Sequence, residues 1–269
     1  MNLKKRLNLK ELQEVELSIL LEFQIFCEDN KLQYFLFDGS LLGAVRHKGF
    51  IPWDDDIDIG MPYEDYKKLI NLVGTSNKIK NCYIMSPYGN DNFLYSFAKI
   101  CKTNTQLIEN IDDITIKLGI NIDVFPFYNL PDEESVYRKR LKKANLYVKR
   151  HWRILFGVKK IQMKYQILKF PLNIQEYIIS KIYHNNFIKK MDKLYELDNS
   201  TDYIGYHVGE YRRFKKLDIF PLTYLEFQNH NFPVPNKYEK VLNYCYGDFM
   251  KFPPKNEQRK HNNKAYIQK

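Results

Sequence analysis

The sequence predicts an α+β fold: a mixed sheet core up to about Leu130, then a mainly helical basic stretch, then a C-terminal segment that wraps back over the core. Three observations carry this. Apolar residues recur at helical spacing at the start of the chain and are followed by a short aromatic run with strand character. Two later runs, Ile57-Asp58-Ile59 and Ile120 to Phe125, are β-like, and the first alternates apolar and acidic residues with the period of a strand. From Asp132 the texture changes to long helical patterns rich in Lys, Tyr and Ile.

In order along the chain, Leu12, Val15, Ile19, Leu20, Phe23 and Phe26 define an amphipathic helix ending in the polar run Glu28 to Lys31. Tyr34 to Phe37 then reads as a buried strand that stops at the turn residues Asp38-Gly39-Ser40. Ser40 is placed to cap a short helix through Leu41, Leu42, Ala44 and Val45. A strand at Ile57 to Ile59 precedes a helix from about Tyr63. Strand-like runs follow at 82–85, 93–100, 106–108 and 120–125. The helical patterns from Asp132 to about Leu197 are broken internally at Gly157 and Pro171. The tail from Asp202 holds Pro221, Pro233 and Pro235 and reads as loops and short helices. The expected organisation is thus 1–131 as catalytic core, 132–200 as a basic helical region, and 201–269 as the returning segment.

At 269 residues the chain can bury a sizeable core. Cys27, Cys82, Cys101 and Cys245 are widely spaced, with no CxxC and no Cys/His cluster, so neither a zinc site nor a disulfide framework is expected. The opening MNLKKRLNLKELQEVE has no apolar core of a leader peptide, and no later run reaches the length of a membrane span, so a cytoplasmic protein is expected. The net charge of +10 favours an anionic partner. Residues 138–169 alone hold twelve Lys or Arg and no Asp or Glu, so the rest of the chain is close to neutral.

The chemistry concentrates in FDGSLLGAVRHKGFIPWDDDIDIG, Phe37 to Gly60. Asp56 and Asp58, two residues apart on a strand, project from one face, and two such carboxylates tolerate each other when a divalent cation lies between them. Oxygen ligands of this kind suit Mg²⁺ or Mn²⁺, which clamp phosphate oxygens. The competing reading is a solvated acidic loop, which the flanking isoleucines disfavour. Asp123 sits in the apolar run Ile120 to Phe125, where a lone carboxylate is costly unless paired or metal-bound. It can share the metal, take a proton from an attacking hydroxyl, or form a salt bridge to a nearby Lys. Gly39-Ser40 offers backbone N–H groups and a hydroxyl to a phosphate. Arg46 can hold the transferred group or the leaving phosphate; His47 and Lys48 read more simply as surface charge. Lys99, within Phe97-Ala98-Lys99-Ile100, is a better candidate than these to bind donor phosphate, because a Lys there must find an anion or reach out to solvent.

The residues DGSLLGAVRHKGFIPWDDDIDIGM, with FAKICKTNTQLIE, INIDVFP and the late FPVPNKYEKVLNYCYGDFMKFPP, resemble the LicD family of phosphocholine transferases, a branch of the nucleotidyltransferase-fold superfamily similar to fukutin-related proteins. The matched segments lie in about residues 34–130 and 214–261; the basic stretch between them carries no motif of the family. The resemblance implies a nucleotidyltransferase-like core in which Gly39 and Ser40 hold donor phosphate, Asp56 and Asp58 hold Mg²⁺, and Asp123 completes the acidic site, with Asp54 as a further candidate ligand. It also implies transfer of phosphocholine from CDP-choline to a sugar hydroxyl of a bacterial surface glycan precursor, such as that of teichoic acid or lipopolysaccharide, with release of CMP. Another CDP-linked alcohol, ribitol or glycerol, is an alternative donor.

Leu141, Val148, Trp152 and Leu155 recur at helical spacing among Lys142, Lys143, Lys149, Arg150 and Arg153. That pattern fits a helix lying on an anionic membrane from the cytoplasmic side, where lipid-linked acceptors are built, and equally a core-facing helix with a solvated basic side. A nucleic-acid nucleotidyltransferase shares the Gly-Ser and paired-Asp pattern, but the long first motif favours glycan modification, and no nucleic-acid partner is expected.

Overall fold

Asn8 starts the first helix with a capping box: its side chain accepts from the Glu11 backbone N–H at 3.0 Å, and the Glu11 carboxylate accepts from the Asn8 N–H at 2.9 Å. The computed structural model describes residues 4–74, 78–88, 93–111, 114–156, 187–195, 201–206, 212–258 and 263–268. These fall into two units, Met1–Met85 with Phe97–Phe127 and Phe214–Lys269, and Ser86–Ser96 with Tyr128–Arg213.

The first unit begins with β1 (Lys4–Arg6), α1 (Leu9–Asp29), β2 (Phe35–Leu36), α2 (Asp38–His47), β3 (Asp58–Pro62), α3 (Tyr63–Gly74) and β4 (Cys82–Met85). It continues with β5 (Ala98–Lys102), β6 (Thr105–Ile111), β7 (Ile114–Leu118) and most of β8 (Asn121–Leu130). A mixed sheet runs β2-β3-β8-β5-β4, in which only β3 and β8 are parallel. Ile57, Ile59, Met61, Ile100, Ile122 and Val124 are fully buried along it, and Ile19, Leu20 and Phe23 of α1 are equally buried. This is the expected amphipathic face finding its sheet. Gly60 lets the strands close: a Cβ there would lie 2.4 Å from the Phe35 ring and 2.9 Å from that of Phe127. Phe127 in turn packs edge-on against Phe35 and Phe37, each at 4.9 Å.

Two expectations need correcting. Ser40 does not cap α2; the helix begins two residues earlier at Asp38, and Phe37 occupies the cap position without a side-chain bond. Asp38 has φ of +43°, so the turn itself starts the helix and leaves Ser40 free to face inward. The strand expected over 93–100 begins only at Ala98, because Phe93 and Leu94 belong to the second unit.

The second unit contains the end of β8, where Tyr128 to Leu130 pair antiparallel with β9 (Tyr203–Gly205). Among its described residues are the helices α4 (Glu134–Phe156) and α5 (Phe187–Tyr195), which pack together. Tyr137, Leu141, Ala144 and His151 are buried on one side of α4, while Arg138, Lys139, Lys142, Lys143 and Lys149 are exposed. The expected breaks at Gly157 and Pro171, and the basic residues from 159 to 169, lie outside the described residues.

The remainder of the first unit is β10 (Phe214–Lys215), α6 (Lys216–Ile219), the hairpin β11 (Thr223–Phe227) and β12 (His230–Val234), α7 (Tyr238–Tyr246), and β13 (Lys264–Gln268). The last strand enters a second, antiparallel sheet of order β1-β13-β6-β7. Among the described residues there is no disulfide: Cys27, Cys82 and Cys101 are buried and Cys245 is half-buried. Among the described residues no helix is long and apolar enough to cross a membrane.

Candidate active site

The parallel pairing of β3 with β8 sets Asp58 opposite Asp123 in register. The entry to both strands is fixed by backbone bonds: the Phe37 N–H donates to the Asp58 carbonyl at 3.0 Å, and the Asp123 N–H donates to that of Ile57 at 2.8 Å. Ser40 adds a side-chain anchor, its Oγ accepting from the Asp58 N–H at 2.8 Å. The first turn of α2, which holds Gly39 and Ser40, and the carboxylate strand are thus tied at Asp58.

Alternation before β3 holds as the sequence implied, and it extends further back. Asp54, Asp56 and Asp58 are all half-buried, whereas Asp55, Ile57 and Ile59, on the opposite face, are buried. Asp54 is therefore the residue that joins Asp56 and Asp58, and Asp55 is turned away. Gly39 sits against this row: a Cβ there would lie 2.9 Å from Asp54 Oδ2 and 3.9 Å from Asp58 Oδ2. The glycine is needed for close approach of the helix start to the carboxylates rather than for any special backbone angle.

Burial first, and then the charges of Asp56, Asp38, Asp123 and Asp54, push the Asp58 carboxyl well above the usual range. Burial also pushes Asp123 up to about 6, against the opposing pull of Lys99. Lys99 is paired inside the fold: its Nζ donates to Asp123 Oδ1 at 2.7 Å, to Asn121 Oδ1 at 3.0 Å and to Glu109 Oε1 at 3.3 Å. The charges of Asp123 and Glu109 outweigh burial and raise its pKa. The salt bridge to a Lys, one of the three readings for Asp123, is present, and Lys99, expected to meet donor phosphate, is drawn onto Asp123, Asn121 and Glu109.

One acidic residue was missed by sequence reasoning. Glu16 of α1 is 1% exposed, and its Oε2 has no hydrogen-bond partner among the described residues. Burial, followed by the charges of Asp56, Asp55, Asp54 and Asp123, drives its carboxyl well above the ordinary range. Its neighbour one turn back, Gln13, donates through Nε2 to the Asp54 carbonyl at 2.8 Å, so α1 holds the aspartate loop from behind. The signal was present: Leu12, Glu16, Ile19, Leu20 and Phe23 form the buried stripe, with Val15 at its edge.

The C-terminal segment completes the rim. Tyr246 donates its hydroxyl to Asp38 Oδ1 at 2.8 Å. Arg46 donates through Nη1 to the Phe249 carbonyl at 3.1 Å and through Nε to His47 Nε2 at 3.0 Å, and its guanidinium lies 4.6 Å over the Phe252 ring. Arg46 therefore reaches the late FPP-bearing segment first, a contact that could not be read from its place in the motif.

Among the described residues no group of three or more His, Cys, Asp or Glu side chains stands in the arrangement of a metal-binding cluster. The donor chemistry still suits a hard divalent cation: the neighbouring side chains are carboxylates, and burial, followed by the charges of Asp56, Asp38, Asp123 and Asp54, pushes the Asp58 carboxyl upward.

The family model described as LicD/FKTN/FKRP, nucleotidyltransferase domain, matches residues 31–173, a span that holds Asp38, Asp54, Asp56, Asp58, Lys99 and Asp123. Over 277 aligned residues the chain is 32% identical to the lipopolysaccharide cholinephosphotransferase LicD of Haemophilus influenzae, covering 98% of this chain and 99% of that protein. A 43-residue stretch is 56% identical to human ribitol 5-phosphate transferase FKRP, covering 16% of this chain and 9% of that protein. The same stretch length and identity relate it to the mouse FKRP protein. An α+β core presenting carboxylates from neighbouring strands, together with these relatives, defines an enzyme of the phosphotransferase class. Within that class the chain belongs to the LicD family.

Proposed function

We propose that this enzyme transfers phosphocholine from CDP-choline to a sugar hydroxyl of a lipid-linked cell-surface glycan precursor, such as one for lipopolysaccharide or teichoic acid, and releases CMP. The observation that carries the reading is the in-register pair Asp58 and Asp123 behind the Gly39-Ser40 turn, in a chain similar along almost its whole length to a lipopolysaccharide cholinephosphotransferase. Asp56 and Asp58, with Asp123 and Asp54 as the further carboxylates, would hold Mg²⁺ or Mn²⁺, which neutralises pyrophosphate charge and the departing CMP. The sheet and α2 fit a nucleotidyltransferase-like core, in which the Gly39 and Ser40 region receives donor phosphate.

The acceptor hydroxyl oxygen attacks the phosphorus that bears choline, and the bond from that phosphorus to the bridging oxygen of CMP breaks. The hydroxyl proton passes to the Asp123 carboxylate, which with a pKa of about 6 is ionised at neutral pH yet basic enough to accept it. Lys99 holds that carboxylate in place through its 2.7 Å bond. Arg46, at the rim, meets the phosphate of the incoming group.

The exposed basic face of α4, with Leu146 39% exposed among its lysines, supports peripheral contact with an anionic membrane at the cytoplasmic face. Salt-sensitive sedimentation with anionic vesicles that is lost when Lys142, Lys143 and Lys149 become Gln is the expected result; no binding at low salt overturns that contact.

The deciding experiment is CMP release from CDP-choline with Mg²⁺ and a glycan precursor, with Asp58→Asn as control. Metal-dependent, acceptor-stimulated release that Asp58→Asn abolishes is expected. Turnover of CDP-ribitol or CDP-glycerol in preference to CDP-choline would overturn the donor, and extension of RNA with ATP would overturn the class of acceptor.

A further inference from the structure

We infer that Trp53 and Phe252 form the platform that selects the quaternary ammonium of the donor, with Arg46 beside them holding the phosphate of the same head group. This rests on the proposed phosphocholine transfer and assigns its specificity. A trimethylammonium offers no hydrogen-bond donor, so it is recognised by aromatic faces and by negative charge nearby. The rim supplies both.

The Trp53 and Phe252 rings lie 6.4 Å apart at 60°, forming two walls of an open corner. Trp53 is half-buried and directly precedes Asp54 in the chain, while Phe252 is 54% exposed, so the corner opens to solvent. His47 stands at 78° to Phe252 with centroids 5.6 Å apart and closes a third side. Burial and the neighbouring Arg46 hold the His47 pKa below its usual value, which keeps that ring uncharged at neutral pH.

Arg46 already uses the Phe252 face as a cation platform at 4.6 Å. Its Nη1 and Nε are taken by the Phe249 carbonyl and by His47, and among the described residues its Nη2 takes no hydrogen-bond partner. A zwitterion that carries phosphate and ammonium a short distance apart is complementary to this arrangement, its phosphate toward Nη2 and its ammonium toward the Trp53 ring. A polyol such as ribitol would find mainly ring carbon along the same walls, leaving its hydroxyls without partners.

The test is calorimetric binding of CDP-choline and CDP-ribitol, without acceptor, to the wild type, Phe252→Leu, Phe252→Tyr and Trp53→Leu. Phe252 lies in an exposed loop, so its replacement leaves the fold intact. Phe252→Leu and Trp53→Leu are expected to weaken CDP-choline roughly 3- to 30-fold and to change CDP-ribitol by less than about twofold, while Phe252→Tyr retains wild-type affinity. Equal weakening of both donors, or no change in CDP-choline, overturns the inference while the proposed transfer stands. A wild type that binds CDP-ribitol but not CDP-choline overturns the proposed donor itself and this inference with it.

Discussion

Asp58 and Asp123 face each other across parallel strands, yet of this pair it is Asp123 that Lys99 bonds, at 2.7 Å. Of the two carboxylates one is therefore charge-compensated by the protein and the other is not. Burial, and after it the charges of Asp56, Asp38, Asp123 and Asp54, push the Asp58 carboxyl upward, so the fold maintains it at a cost to stability.

Replacing Asp58 with Asn removes that cost. The variant is expected to melt higher than the metal-free wild type, by about 2–4 °C for each kcal/mol relieved in a chain of this size. Transfer activity is expected to fall by more than about 100-fold, beyond what loss of an outer-shell partner costs a metal site. Thermal melting and CMP release on the same preparations check both halves.

The pKa of about 6 for Asp123 makes stability depend on pH in a definite direction. The folded state holds a proton that the unfolded chain releases near the ordinary carboxylate value of about 4. Stability from this group is thus highest at low pH, declines as pH rises through about 4 to 6, and is level above. Asp58 acts with the same sign. Melting curves of wild type and Asp123→Asn across this window should show a downward slope in the wild type that is shallower in the variant. Activity should run the other way, falling as pH drops below about 6 and the base becomes protonated.

Lys99→Met is expected to lower stability by about 3–5 kcal/mol, because it strands Asp123 and Glu109 beside each other without the cation. Combining it with Asp123→Asn should recover part of that loss. Urea unfolding of both variants measures the coupling.

Gly39→Ala separates site geometry from fold. Alanine gains up to about 1 kcal/mol of helix propensity over glycine. Its Cβ, however, would arrive 2.9 Å from Asp54 Oδ2. A variant with unchanged or raised melting temperature and activity reduced by roughly tenfold or more, as a misplaced reacting group costs, is the expected outcome.

The pairing of Asp56 with Asp58 was legible because strand alternation is a local rule, while Asp54 joined them only in the structure. The first helix and the sheet strands around Ile59, Ile100 and Val124 were legible for the same reason. What stayed hidden depended on distant partners. The sheet formed by β1 and β13 is built from Lys4–Arg6 and Lys264–Gln268, segments with little apolar alternation, held by backbone pairing that no local pattern announces. Glu16 was concealed because a charged residue within an apolar stripe reads as its edge until a buried acidic loop is seen beside it. The roles of Tyr246 and Phe252 depended on contacts with Asp38 and Arg46 over 200 residues earlier.

That separation bears on when the enzyme becomes competent during synthesis. Asp38 through Asp58 leave the ribosome early, but the bond from Tyr246 to Asp38 spans 208 positions and that from Arg46 to Phe249 spans 203. At synthesis rates of about 5–20 residues per second, the nascent chain carries its acidic row for on the order of ten seconds or more before the rim can close over α2. A chain released before Phe252 would have the carboxylates but lack the contacts of Arg46 with Phe249 and Phe252 in their folded form, so the proposed site is completed only near the end of translation.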